Sequence, residues 1–214
     1  KIYNFSIMKN VLIIVIALGV MGSCKKGKAD FTLTGAISNS SLNSGLSGAT
    51  IKLYETPAGS VTLNLIGTTT TNFSGVYSFN FPRNQSESYT LTCEKINHFS
   101  IEESINFSEL SIENDNIFNY STSAKSWVKL RFLNNTPSGS DILKFTKTAG
   151  KNDCQACCAS TETSLVNILD TSIYCINDGN SVYSYNYIHQ GTTNFGEKSV
   201  VTVAYDTTEL LLTY

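Results

Sequence analysis

Six cysteines carry most of the reactive chemistry in this 214-residue chain. Cys24 stands apart from the rest. It follows Lys9, an unbroken apolar run from Val11 to Met21, and the small pair Gly22-Ser23. That run is shorter than the ~20 residues a membrane-spanning helix requires. A short apolar core, two small residues and a cysteine make up the pattern of a processed and acylated export signal. The thiol can take one lipid and the amine freed at Cys24 another, and two chains anchor stably where one does not. Four more cysteines form Cys154-x-x-Cys157-Cys158, followed by Cys175. Such spacing serves a zinc site or disulfides. A zinc site usually shows two separated pairs, and an exported chain meets an oxidising compartment, so disulfides are expected. Cys157 and Cys158 point oppositely if extended, so only one can face Cys175. The expected pairs are Cys158–Cys175 and Cys154–Cys157. Cys93 alternates with Tyr89 and Leu91 and is expected to be a buried, unpaired small hydrophobe.

Other side chains that do chemistry are sparse. His98 and His189 lie far apart in sequence and in no metal-ligand spacing. His98 is expected in an exposed loop and His189 at a strand end. Glu102 and Glu103 are neighbours that a strand would send to opposite faces. No nucleophile elbow or phosphate-binding glycine loop occurs. The sequence therefore predicts no enzyme, no catalytic residue, no metal and no cofactor. Asn177-Asp178-Gly179-Asn180 lacks the spacing of a calcium loop and reads as a turn. Tyr183, Tyr185 and Tyr187 form a period-two stripe that can stack on sugar rings if exposed. As core-edge packing the same stripe is buried, the reading favoured here.

The elements around these residues are strands. Only 15% of the chain is charged, against ~25% in an average globular protein. The net charge is −2 with no basic stripe, which argues against a nucleic-acid partner. Few prolines and many Thr, Tyr and Phe point to an all-β chain. Residues 1–23 hold the signal, with Lys1 to Ile7 upstream of the expected start at Met8. Residues 24–30 form the anchor and a tether whose Lys25, Lys26 and Lys28 can rest on anionic lipid heads. Alternating runs at Phe31–Ile37, Ala49–Leu53, Val61–Leu65, Tyr77–Phe81, Tyr89–Cys93 and Ile101–Phe107 predict a first β-sandwich over residues 31–107. A polar connection is expected over 108–120. A second sandwich is expected over 121–214, from Val128-Leu130-Phe132, a piece of uncertain type at Asp141–Thr146, a strand at Ser164–Leu169, and two C-terminal hairpins. The turns of those hairpins are Asn177–Asn180 and Asp206–Thr208. The fold expected is two consecutive β-sandwich domains behind a lipoprotein signal peptide.

The stretch from Lys9 to Cys24 resembles the lipobox of bacterial lipoproteins, with Met21 where Leu is commoner. Residues 31–107 resemble the carboxypeptidase regulatory-like domain and its transthyretin-like sandwich. The motifs are Thr34-Gly35, Gly48-Ala49 before Ile51 and Leu53, the threonines at 68–71, Ser74-Gly75 before Tyr77-Ser78-Phe79, and Tyr89. The turn carries Ser74 where that family commonly has Asp. The resemblance implies a fold and an accessory role but no activity. Together these readings imply a lipid-anchored protein of the cell envelope, of outer-membrane type with its face undetermined. The role implied is non-catalytic binding or scaffolding, with the membrane and envelope proteins or glycans as partners. The alternative is a glycan-binding accessory lipoprotein for polysaccharide uptake.

Overall fold

A computed structural model describes residues 30–152 and 154–214. The signal, Cys24 and the tether lysines lie outside the described residues. The described chain is all-β, and its sheets form two sandwiches, each around its own apolar core. Among the described residues the one helical piece is a 3-10 turn at Phe107–Glu109.

In the first sandwich, β1 (Asp30–Asn39) pairs antiparallel with β2 (Ser44–Gly45) and β5 (Val76–Pro82). The facing sheet runs β4 (Asn64–Thr70), β3 (Thr50–Pro57), β6 (Ser86–Glu94), β7 (Ile101–Asn106). Alternation places Phe31, Leu33, Ile37, Ile51, Leu53, Tyr77, Phe81, Tyr89 and Leu91 inside, where apolar burial drives the two sheets together. Cys93 is buried and unpaired among them. The run Val61, Leu63, Leu65 departs from expectation, since all three side chains are exposed. The β3–β4 register shifts between Leu53 and Tyr54, and β4 begins only at Asn64. Period two in a sequence marks an extended segment; which side meets the core is set by the pairing register.

The stretch expected as a plain connection holds two short strands. Strands β8 (Asn116–Ile117) and β9 (Tyr120–Thr122) both run parallel to β1. Asn116 explains why so polar a segment stays ordered: its side chain donates to the Thr32 and Ser111 carbonyls and accepts from the Ser111 N–H.

The second sandwich has one sheet of β13 (Asp170–Asp178), β10 (Lys125–Leu133) and β16 (Thr207–Thr213). The other runs β12 (Thr163–Val166), β11 (Ile142–Ala149), β14 (Val182–His189), β15 (Phe195–Val201). Val128, Leu130 and Phe132 sit at the core centre. The piece of uncertain type is the start of β11. Neither expected C-terminal hairpin forms. Strands β13 and β14 flank the turn at Asn177–Asn180 yet belong to different sheets, and so do β15 and β16. Strand β16 instead pairs parallel with β10. Both turns carry the chain across the sandwich. At the first, Ser181 Oγ and Thr202 Oγ1 donate to the Asp178 carbonyl at 2.7 Å, holding the corner by side chains where a hairpin uses a ladder.

Candidate functional site

The four clustered cysteines form two disulfides, Cys154–Cys157 and Cys158–Cys175. Cys158 is left-handed at φ 55°, so the Cys157-Cys158 pair is not extended. Cys175 is buried in β13, so the second bond ties the loop directly to the core. Three further bonds fix this loop. The Ile176 N–H donates to the Ala156 carbonyl at 2.8 Å, and the buried Lys147 ammonium donates to the carbonyls of Cys157 (3.0 Å) and Cys158 (2.6 Å). With their sulfurs bonded to each other, these cysteines are not thiolate ligands. Among the described residues no group of His, Cys, Asp and Glu is arranged to hold a metal.

The tyrosine stripe packs inward. Tyr183 and Tyr185 are buried, and Tyr185 stacks edge-on against Phe145 at 5.7 Å; only Tyr187 is partly open. The stacking role is therefore corrected: β14 is an interior strand of its sheet, and its tyrosine face is turned to the facing sheet. Burial pushes the Tyr185 phenol well above its ordinary pKa of 10, and its hydroxyl has no hydrogen-bond partner among the described residues.

A buried polar network lies where the two sandwiches meet. His98, expected in an exposed loop, is 5% exposed and sits inside this joint. Its Nδ1 donates to the Ile96 carbonyl at 2.9 Å, which leaves Nε2 as an acceptor. Nε2 receives Tyr205 Oη at 3.0 Å, from the second sandwich, and Asn39 Nδ2 at 3.2 Å, from the first. Asn39 also donates to Tyr205 Oη. Backbone bonds run alongside: Lys125 N–H to the Asn97 carbonyl at 2.7 Å and Gly179 N–H to the Ala124 carbonyl at 2.8 Å. Asn180 Nδ2 reaches the Ser41 carbonyl at 2.8 Å.

Burial holds the His98 imidazole below its ordinary value of 6.5; the Ile96 bond opposes this, and Lys95 and Lys125 nearby reinforce it. The folded state thus resists a proton that the unfolded chain accepts. Stability is full above pH 6.5, falls as the pH drops below it, and levels off once the folded imidazole is protonated. Urea midpoints should therefore be lower at pH 5.5 than at pH 7.5, and His98→Gln should flatten that difference. An unchanged slope in the variant would place the effect elsewhere.

Beside this network a cleft of about 530 Å³ opens between the sandwiches. Ser40, Phe99, Ser123, Lys151, Asp178 and Asn180 are among its lining residues. Its polar groups are turned on one another. The Ser123 hydroxyl donates to Asp178, the Lys151 ammonium lies 3.2 Å from the same carboxylate, and it covers the Phe99 ring at 4.2 Å. The ring face and the carboxylate that a bound sugar would use are occupied from within. What this cluster does chemically is bond one sandwich to the other. Sequence reasoning missed it, because Asn39, His98, Asp178 and Tyr205 become neighbours only through the fold. Their one sequence trace is the turn at Asn177–Asn180.

His189 is also buried, beside Asp141 at 3.3 Å. Bonds from the Ser138 backbone and hydroxyl, then from Asn134, hold the Asp141 carboxyl well below the carboxylate range. The Ser138 hydroxyl donates to the carboxylate of this pair, and together the three residues tie the β10–β11 loop to β14.

No protein-family model and no curated protein matches the sequence. Among solved structures, the chain overlaps the TIE protein of Bacillus anthracis at TM-score 0.37 and 12% identity, covering 86% of this chain and 34% of that one. It overlaps GBS52, the minor pilin of Streptococcus agalactiae, at 0.36 and 13%, covering 86% and 94%. A streptococcal ancillary pilin gives 0.38 and 8%, covering 86% and 63%. The chain thus spans about a third of the length of TIE. At such scores the overlap does not establish a shared fold.

Proposed function

We propose that this is a lipid-anchored protein of the cell envelope with a non-catalytic binding or scaffolding role. The first sandwich, read as a carboxypeptidase regulatory-like module, is a rigid spacer, and the second is the part presented to partners. One observation carries this reading: the two attachments lie at opposite ends of β1. Asp30 opens the strand, six residues after Cys24, and Asn39 closes it inside the joint with the second sandwich. The strand between them is about 30 Å long at 3.2–3.4 Å per residue. A lipid at Cys24 is therefore attached at the end of the first sandwich opposite the joint, with the full length of β1 between anchor and second sandwich. The motif order supports the family reading of the first half, with Gly35 in β1, Ala49 leading into β3, Gly75 before β5 and Tyr89 in β6. The two disulfides suit an exported chain.

Two measurements test the proposal. Cys24→Ala should move the protein out of the membrane fraction, and unchanged membrane association would overturn the anchor. Spin labels on Val61→Cys and Phe195→Cys, at the two far ends, should report a single narrow distance. A broad or bimodal distribution would overturn the spacer, since only a fixed joint gives one distance.

A further inference from the structure

Five segments meet at the end of the first sandwich where β1 begins. The pair Asp30↔Pro82 puts the start of β1 beside the end of β5. The pairs Glu55↔Asn64, Pro57↔Ser86 and Ser88↔Asn106 put the β3–β4 connection, the start of β6 and the end of β7 there too. The Ala58 N–H donates to the Gln85 carbonyl at 3.0 Å, linking two of these loops, and Arg83 lies over the Phe107 ring at 5.4 Å.

This end also carries the exposed apolar row. Val61 is 97% exposed, Leu63 48% and Leu65 56%. Single exposed hydrophobes need no explanation, but three at alternate positions on one loop and strand start form a patch. The chain outside the described residues says what can cover it. Cys24 precedes Asp30 by six residues, which reach at most ~20 Å when fully extended. A lipid-bearing Cys24 cannot place the bilayer surface farther than that from the start of β1. Lys25, Lys26 and Lys28 in the same stretch favour anionic lipid heads.

We propose that Val61, Leu63 and Leu65 are a second membrane contact, seated in the bilayer interface beside the lipid anchor. The inference rests on the anchoring of Cys24. Anchor and loop together hold the sandwich end-on, where a single point of attachment leaves it free to tumble. The geometry requires no rearrangement: a bare loop tip already protrudes on the side where the anchor starts.

The test uses the lipidated protein purified from membranes and reconstituted in phosphatidylethanolamine and phosphatidylglycerol vesicles with brominated acyl chains. Trp127 is the single tryptophan, so Trp127→Phe gives a dark background. In that background Val61→Trp should lose about half its emission to the bromines, as expected of a side chain ~5–10 Å into the headgroup and acyl boundary. Phe195→Trp, at the far end of the second sandwich, should lose almost none. Equal quenching at the two sites would overturn the proposal. An indole at position 61 shielded from aqueous iodide yet untouched by the bromines would also overturn it, and would show the row covered by protein such as a second copy. Vesicle flotation separates the two readings. Protein that floats but is unquenched at position 61 leaves the anchor standing and removes the loop contact, whereas protein that does not float removes both.

Discussion

Gly35→Ala is expected to destabilise the first sandwich by about 3 kcal/mol, the upper end of what forced overpacking costs. A Cβ at this position would lie 1.7 Å from the Phe118 carbonyl oxygen, 2.7 Å from its carbon and 2.9 Å from Tyr77 Oη. The first two are backbone atoms and cannot swing away as a side-chain tip does. Relief requires the Phe118–Asn119 segment to leave β1. That move would break three bonds: Phe118 N–H to the Thr34 carbonyl (2.9 Å), Ala36 N–H to Asn119 Oδ1 (2.8 Å) and Tyr77 Oη to the Phe118 carbonyl (2.7 Å). Tyr77 is buried, so losing its acceptor leaves a hydroxyl stranded in the core, adding to the cost. Gly139→Ala is the control, because nothing lies within 4 Å of its Cβ position. Urea unfolding should show a large shift for the first variant and little for the second. A Gly35→Ala shift below about 0.5 kcal/mol, the range of an ordinary surface substitution, would refute the close packing of 116–122 on β1.

The same glycine shows what could be read from the chain and what could not. Thr34-Gly35 was legible as a strand with a glycine in it, because alternation is a local property of β1. The reason for the glycine was not, because Phe118 lies far along the chain, beyond the whole first sandwich. The inward faces of β1, β3, β5 and β10 were legible in the same way. The two C-terminal turns were misread for a physical reason. A tight turn reverses the chain whether the next strand pairs beside the last or crosses to the opposite sheet, and the residues at 177–180 and 206–208 serve both. Val61 and Leu63 are exposed because they lie in the connection before β4, which begins only at Asn64, and burial of His98 depends on Tyr205, far outside its local window. The cysteine cluster was legible as disulfides from its spacing and an oxidising setting, but the choice of Cys158 for Cys175 rested on an extended Cys157-Cys158 pair that the left-handed Cys158 does not form.

Replacing both Cys158 and Cys175 by alanine is expected to cost the second sandwich about 3 kcal/mol, and replacing Cys154 and Cys157 only about 1.5 kcal/mol. The difference follows from loop closure: the first bond joins residues 17 apart and the second residues 3 apart. A longer loop has more freedom to lose, so its cross-link removes more entropy from the unfolded chain. The longer bond has a second effect that the shorter lacks. Strand β13 stands at the edge of its sheet, with the order β13-β10-β16 leaving one side unpaired by any strand. The disulfide loop lies against that side, where the Ala156 carbonyl takes the Ile176 N–H. Without the Cys158–Cys175 bond, the bonds that hold this cover among the described residues include that backbone bond and those of the Lys147 ammonium. An uncovered edge strand is a template for pairing between chains, so the variant should self-associate as well as melt earlier. Urea midpoints and light scattering read the two effects separately, and non-reducing peptide mapping of the parent protein establishes the pairing itself. Equal losses for the two double variants would remove the loop-length account. A destabilised Cys158→Ala/Cys175→Ala protein that stays monomeric would remove the edge account while leaving the cross-link intact.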